Sequence, residues 1–175
     1  MLKKELHTIL EIKKRVNGRV KTCLVSGCEE PAINTHVLQQ NGILNHIAQN
    51  GHVVQLHTER LFDESIFRFQ KKSIAKAEAL TFKGLCSRCD NRIFETIEKF
   101  EPNFYDYKTQ LLFSYRALLR QQYDVIETFE CYQEFKKSKD LSPHLKAFMA
   151  PAIKRMGIVT DICNYYLQLM ESEKV

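Results

Sequence analysis

Two close cysteine pairs constrain this chain more than anything else in it: Cys23-Leu-Val-Ser-Gly-Cys28 and Cys86-Ser-Arg-Cys89. Either spacing lets two thiolates converge on one tetrahedral ion, and the two pairs together complete the ligand set of a structural zinc, Zn2+. Gly27 lets the backbone turn tightly before Cys28, and Gly84 is expected to do the same before Cys86. The alternative is four ordinary buried cysteines, against which stands the rarity of two close pairs each flanked by glycine. A disulfide set would need a secreted chain. Residues 1–19 are charged and amphipathic with no cleavable apolar segment, and no apolar run approaches the roughly 20 residues needed to span a bilayer. A cytoplasmic chain with no membrane partner is expected, and in that reducing compartment clustered cysteines bind metal more often than each other. Cys131 and Cys163 stand apart from the pairs in helical patterns and read as buried thiols.

Hydrophobic periodicity divides the chain into two regions of different character. Leu2, Leu6, Ile9, Leu10 and Ile12 recur at helical spacing and Asn17-Gly18 ends the run, which predicts a first helix over 2–16. Residues 20–24 and 32–38 read as extended pieces around the first cysteine pair, the second carrying His36. A short helix over 43–49 closes at Asn50-Gly51. Two strands over 52–57 and 66–75 follow, separated by the polar stretch around Asp63-Glu64. Cys89 opens an amphipathic helix with Ile93, Phe94 and Ile97 on one face, stopped by Pro102. Beyond it, Leu111, Leu112, Tyr115, Leu118, Leu119, Tyr123, Ile126 and Phe129 describe a long helix from 107 towards 137. A second runs from 143 to about 173, with Pro151 and Gly157 expected to kink or split it. Leu112, Tyr115, Leu119 and Ile126 form the stripe expected to be buried. The helical pattern continues almost to Val175 without a stop signal, which leaves room for a longer parent protein.

The order of these features, a cysteine knuckle, then strands, then a CxxC that starts a helix, resembles a treble-clef zinc finger. Within that group, Cys28-Glu-Glu-Pro-Ala-Ile-Asn-Thr-His36 resembles the start of an HNH-type endonuclease module, and the likeness covers residues 23 to about 99. A looser likeness is to bacterial proteins with a Cys...Cys...Ser-His pattern followed by Cys-x-x-His-Asp, some associated with defence against phage. The resemblance implies an α+β fold: a treble-clef-like zinc module with an N-terminal helix over 1–102 and a helical hairpin over 103–175. It also implies that His36 is the general base. Asp90, standing where the family has the histidine after its second pair, then holds a second divalent ion, Mg2+ or Mn2+. Thr35 stands where the family usually has a metal-binding aspartate, so a rebuilt site needs another ligand. His52, directly after Asn50-Gly51, is the best candidate, ahead of His46 and His57. The structural alternative is that His36 packs the knuckle and Asp90 is a first-turn carboxylate favoured by the helix dipole.

The balance of 26 Lys and Arg against 21 Asp and Glu leaves a formal +5, which favours polyanionic partners. Lys71, Lys72, Lys76, Lys83, Arg88 and Arg92 flank the second pair and are placed to meet phosphate. Phe67, Phe69 and Phe82 interleave with them at strand spacing, which suits a core as well as a stacking platform. Three functions remain open. The first is metal-dependent cleavage of nucleic acid, DNA favoured, in anti-phage defence. The second is a zinc-stabilised module that binds nucleic acid or protein without catalysis, and the third is an assembly subunit whose helical hairpin pairs with another copy or a protein partner.

Overall fold

The computed structural model describes residues 2–58, 69–99 and 101–172. They form an α+β structure of five helices and two small antiparallel sheets. The order is α1 (Leu2–Asn17), β1 (Ile33–His36), α2 (Ile43–Ile47), β2 (His52–Thr58), β3 (Phe69–Ala75), β4 (Thr81–Leu85), α3 (Ser87–Lys99), α4 (Tyr107–Lys137) and α5 (Pro143–Ser172). The Asp63-Glu64 stretch, Phe67 and residues 66–68 of the expected second strand lie outside the described residues, as do the side chains of Phe69 and His57.

Alpha helix α4 is the axis on which the rest is hung. Its buried side carries Leu112, Tyr115, Leu119 and Val125, the expected stripe with one shift: Val125 takes the inner position and Ile126 is half-buried. Towards the start of α4 this stripe packs with Leu85, Phe94 and Ile97, so that one apolar cluster joins the cysteine-bearing part to the helices across position 102. At the far end of α4 a second cluster holds Ile9, Ile12 and Val16 of α1 against Cys131, Phe135 and Leu141. The spacing of three and seven puts the three α1 residues on one face. Around them Arg15 and Arg19 pair with Glu134 at 3.3 and 3.1 Å, and Lys21 reaches Glu130 at 2.6 Å.

Alpha helix α4 begins where the sequence supplies a cap. The Asp106 carboxylate accepts from the Thr109 backbone N–H at 2.9 Å and from its hydroxyl at 3.0 Å, which satisfies one of the orphan donors of the first turn. These bonds, the backbone one first, hold the Asp106 carboxyl below its ordinary range. A depressed carboxylate adds stability above its unfolded pKa and loses that contribution as pH falls through its folded value. Asp106→Asn, which keeps an accepting oxygen without a titrating proton, is therefore expected to reduce the acid sensitivity of the helix. Thermal melts of both proteins between pH 7 and pH 3 check this, and parallel pH profiles would count against it. Alpha helix α5 continues unbroken through Pro151 and Gly157 where a kink or split was expected. The exposed proline costs one backbone bond, and packing along α4 through Cys163 and Leu167 carries the helix past it.

The two sheets are separate pairs, β1 with β4 and β2 with β3. Asn50 and Gly51 form a two-residue turn with φ of 50° and 74°. The Gln49 and His52 backbones bond each other across it at 2.8 and 3.0 Å, as the Asn-Gly preference of such turns requires. Strand β4 is absent from the sequence reading. It exists because β1 pairs with it in the register Ile33↔Leu85, Thr35↔Phe82 and His36↔Thr81, a partnership between segments far apart in the chain. No helix among the described residues is long and apolar enough to cross a membrane.

Candidate metal centre

The first cysteine pair sits in a loop braced at both ends. Thr22 bridges Pro31, the Cys23 N–H donates to the Glu30 carbonyl at 2.9 Å and the Cys28 N–H to that of Val25 at 3.0 Å. Gly27, at φ 73°, makes the turn that only glycine adopts freely. The Leu24 N–H donates to the Gly84 carbonyl at 2.8 Å, tying this loop to β4. Gly84 has a different reason from the turn expected of it: a Cβ there would lie 2.3 Å from the Phe82 ring and 3.2 Å from Leu24. It is a packing glycine. The chain then passes from β4 into α3, which puts Cys86 just before the helix and Cys89 in its first turn.

The sulfurs of Cys23, Cys28, Cys86 and Cys89 consequently lie within 4.8 Å of one another. Zinc–sulfur bonds of about 2.3 Å in a tetrahedron give sulfur–sulfur edges of about 3.8 Å. The Cys28–Cys86 separation is 3.7 Å, which fits such an edge and is far from a disulfide bond. All four are free thiols, three of them buried. Among the described residues this is the group of His, Cys, Asp or Glu whose ligand atoms converge in the manner a metal ion needs.

Local electrostatics divide the four. The Cys28 thiol is lowered to about 7, first by the Glu30 backbone N–H, with smaller help from its cysteine neighbours and Arg88. Burial pushes the Cys86 thiol up, and burial takes Cys89 to about 12. Thiols held this high stay protonated at neutral pH unless a bound cation displaces their protons. Groups suited to support thiolates surround them: the Cys89 N–H donates to Cys86 Sγ at 3.4 Å, and Arg88 reaches Cys28 Sγ at 3.9 Å while pairing with Glu30 at 3.2 Å.

The other three residues expected at a site are only partly brought together. His36 ends β1 with its side chain on the opposite face from Thr35, whose hydroxyl is buried and donates to the Phe82 carbonyl at 3.2 Å. Thr35 is thus a fixed part of the ladder. The His36 ring places Nε2 3.3 Å from the Lys76 carbonyl. Asp90 follows Cys89 in the first turn of α3. Burial raises its carboxyl, while the Arg116 guanidinium and, more weakly, His36 act in the other direction, so the imidazole and the carboxylate lie within electrostatic reach. His52 stands apart on β2, exposed, its Nδ1 2.9 Å from the Asn50 carbonyl. His46 is exposed on α2.

A residue the sequence reading passed over governs Asp90. Arg116 is 1% exposed. Its guanidinium stacks 4.1 Å from the centre of the Phe94 ring, bonds Glu98 at 2.5 Å and lies 3.5 Å from Asp90. The signal was available as a charged residue next to Tyr115 on the apolar side of α4. Of the basic residues, Lys71, Lys72 and Arg92 are exposed, Lys76 is half-buried with its amine 3.1 Å from Asn45, and Arg88 is taken up at the cysteine cluster. Phe82 belongs to the core, its ring 6.0 Å from that of Tyr123.

Comparison with protein-family models, with curated proteins and with solved structures gives no match to this chain.

Proposed function

We propose that the cysteine cluster holds a structural zinc ion in a treble-clef arrangement of the first loop, β1, β4 and α3. On this reading the module acts on nucleic acid, DNA in preference, by metal-dependent hydrolysis of phosphodiester bonds, in the manner of the HNH endonucleases it resembles and in the setting of anti-phage defence. The observation that carries the reading is the approach of His36 and Asp90 at the start of α3, beside the cysteine cluster. If Nε2 of His36 donates to the Lys76 carbonyl, Nδ1 is left as the acceptor that takes a proton from an attacking water. Asp90 is the residue to hold a catalytic Mg2+ or Mn2+, whose chemistry is to neutralise charge on the phosphate. The N-terminus of α3 and the exposed Lys71, Lys72 and Arg92 favour a polyanion.

Incubation of plasmid, single-stranded DNA and RNA with the protein and Mg2+ or Mn2+ tests it. Cleavage is expected, and His36→Ala is expected to lower its rate about a hundredfold or more, the usual weight of a general base, with binding retained. A second reading, a zinc-stabilised module that binds without cutting, is favoured by the Asp90 carboxylate being already committed to Arg116. Binding by the wild-type chain with no metal-dependent cleavage decides for that second reading.

A further inference from the structure

Alpha helix α5 is amphipathic in an unusual sense: it has two apolar faces. Cys163 and Leu167 are buried against α4. On the far side, Ile158, Ile162, Tyr165 and Leu169 are 54%, 50%, 59% and 44% exposed. At about 100° per residue these four fall within roughly 60° of one another. Val159 and Tyr166 widen the stripe, and the Tyr165 and Tyr166 rings touch edge to face at 5.8 Å. Asp161 is the only charged residue between 158 and 169. The six apolar side chains present on the order of 500 Å², at the upper end of what a monomer leaves uncovered. A standard interface takes about 800 Å² from each partner, with an apolar centre and a polar rim. The stripe supplies such a centre.

The order of the stripe identifies its partner. About the midpoint between Cys163 and Asn164 the residues are symmetric: Ile158 mirrors Leu169, Ile162 mirrors Tyr165, and Asp161 mirrors Tyr166. An antiparallel second copy of α5 therefore sets Ile158 against the partner's Leu169 and Ile162 against the partner's Tyr165. It also brings the one carboxylate opposite a phenol hydroxyl that donates to it. Such a patch is self-complementary under a two-fold axis, as an isologous interface must be. The geometry points to a homodimer in which α5 pairs antiparallel with α5 of a second copy, the two α4–α5 hairpins forming a four-helix bundle. This assignment is independent of the nuclease reading.

Light scattering coupled to size exclusion, at concentrations up to about 100 μM so that a micromolar Kd is saturated, is expected to give a dimer for the full chain. Ile162→Glu and Tyr165→Lys each set an unpaired charge in the dimer centre and are each expected to weaken it about a hundredfold or more. Mixed in equal amounts, the two variants are expected to recover a dimer, because the Glu at 162 of one then faces the Lys at 165 of the other. Metal content and far-UV circular dichroism of each variant show that it has folded. A monomeric wild type overturns the inference and gives the stripe to another protein or another domain. A dimer that survives Ile162→Glu, or folded variants that stay monomeric when mixed, overturns the antiparallel pairing.

Discussion

Complete removal of the metal, by a chelator or through Cys86→Ser, is expected to unfold the cysteine loop, β1, β4 and α3 while leaving most of the helical signal of α4 and α5. Isolated zinc-finger peptides draw about 10–16 kcal/mol from the ion. The loss here is expected to be smaller, several kcal/mol, because Cys23, Cys86 and Cys89 share a core with Leu112, Tyr115 and Leu119 of α4. One zinc per chain should be released. The loss should also appear on acidification, since protons compete with the ion for four thiolates. Amide exchange located by mass spectrometry checks the pattern: protection lost at 81–99 and kept at 109–135. A melting profile indifferent to full metal removal would refute the structural role of the cluster.

Arg116→Ala is expected to be the most damaging substitution away from the cysteines, at about 3–5 kcal/mol, the usual result of leaving one partner of a buried ion pair without the other. Its guanidinium faces two carboxylates, Asp90 and Glu98, and covers the Phe94 ring. The charge alone does not meet these needs, so Arg116→Lys should recover little: an ammonium has neither the planar face for the ring nor the fork for two acceptors. If the cost lies in stranded carboxylates, Arg116→Met combined with Asp90→Asn and Glu98→Gln should regain most of it. Urea denaturation of the set measures this. A loss under about 1 kcal/mol for Arg116→Ala would place the energy elsewhere, since surface substitutions fall in that range.

Elements whose signal is local were the ones readable in the sequence. The stripe of α4, the apolar face of α3 and the turn at Asn50-Gly51 each follow from residues a few positions apart, and the two cysteine pairs announce their convergence by spacing alone. What was missed depends on distant segments. Strand β4, Thr-Phe-Lys-Gly-Leu, has a glycine and only five residues, and it becomes a strand by pairing with β1. Gly84 looked like a turn residue because its real reason, the Phe82 ring above it, is visible only after folding. The expected break at Pro151 weighed the proline without the packing that carries α5 past it. Of the three residues suggested for catalysis, position in the motif was enough to bring His36 and Asp90 near each other. It was not enough for His52, whose strand belongs to the other sheet.

Seen as polymer topology, the cysteine cluster is a clasp. Cys28 and Cys86 lie 58 positions apart, so an ion held by both pairs closes a large ring of chain, and α2, β2 and β3 all lie on that ring. The entropy of closing a flexible ring grows only with the logarithm of its length, about 0.6 kcal/mol for each doubling. Residues can therefore be added to the ring, or taken from it, at little expense to the clasp, provided β1 and β4 still meet. Alpha helix α4 has no such freedom. Its length sets the distance between the cluster around Phe94 and the cluster around Val16, and one residue more or less would turn one end by about 100° relative to the other. Divergence among descendants of this chain should accordingly gather in the ring and spare the length of the helix.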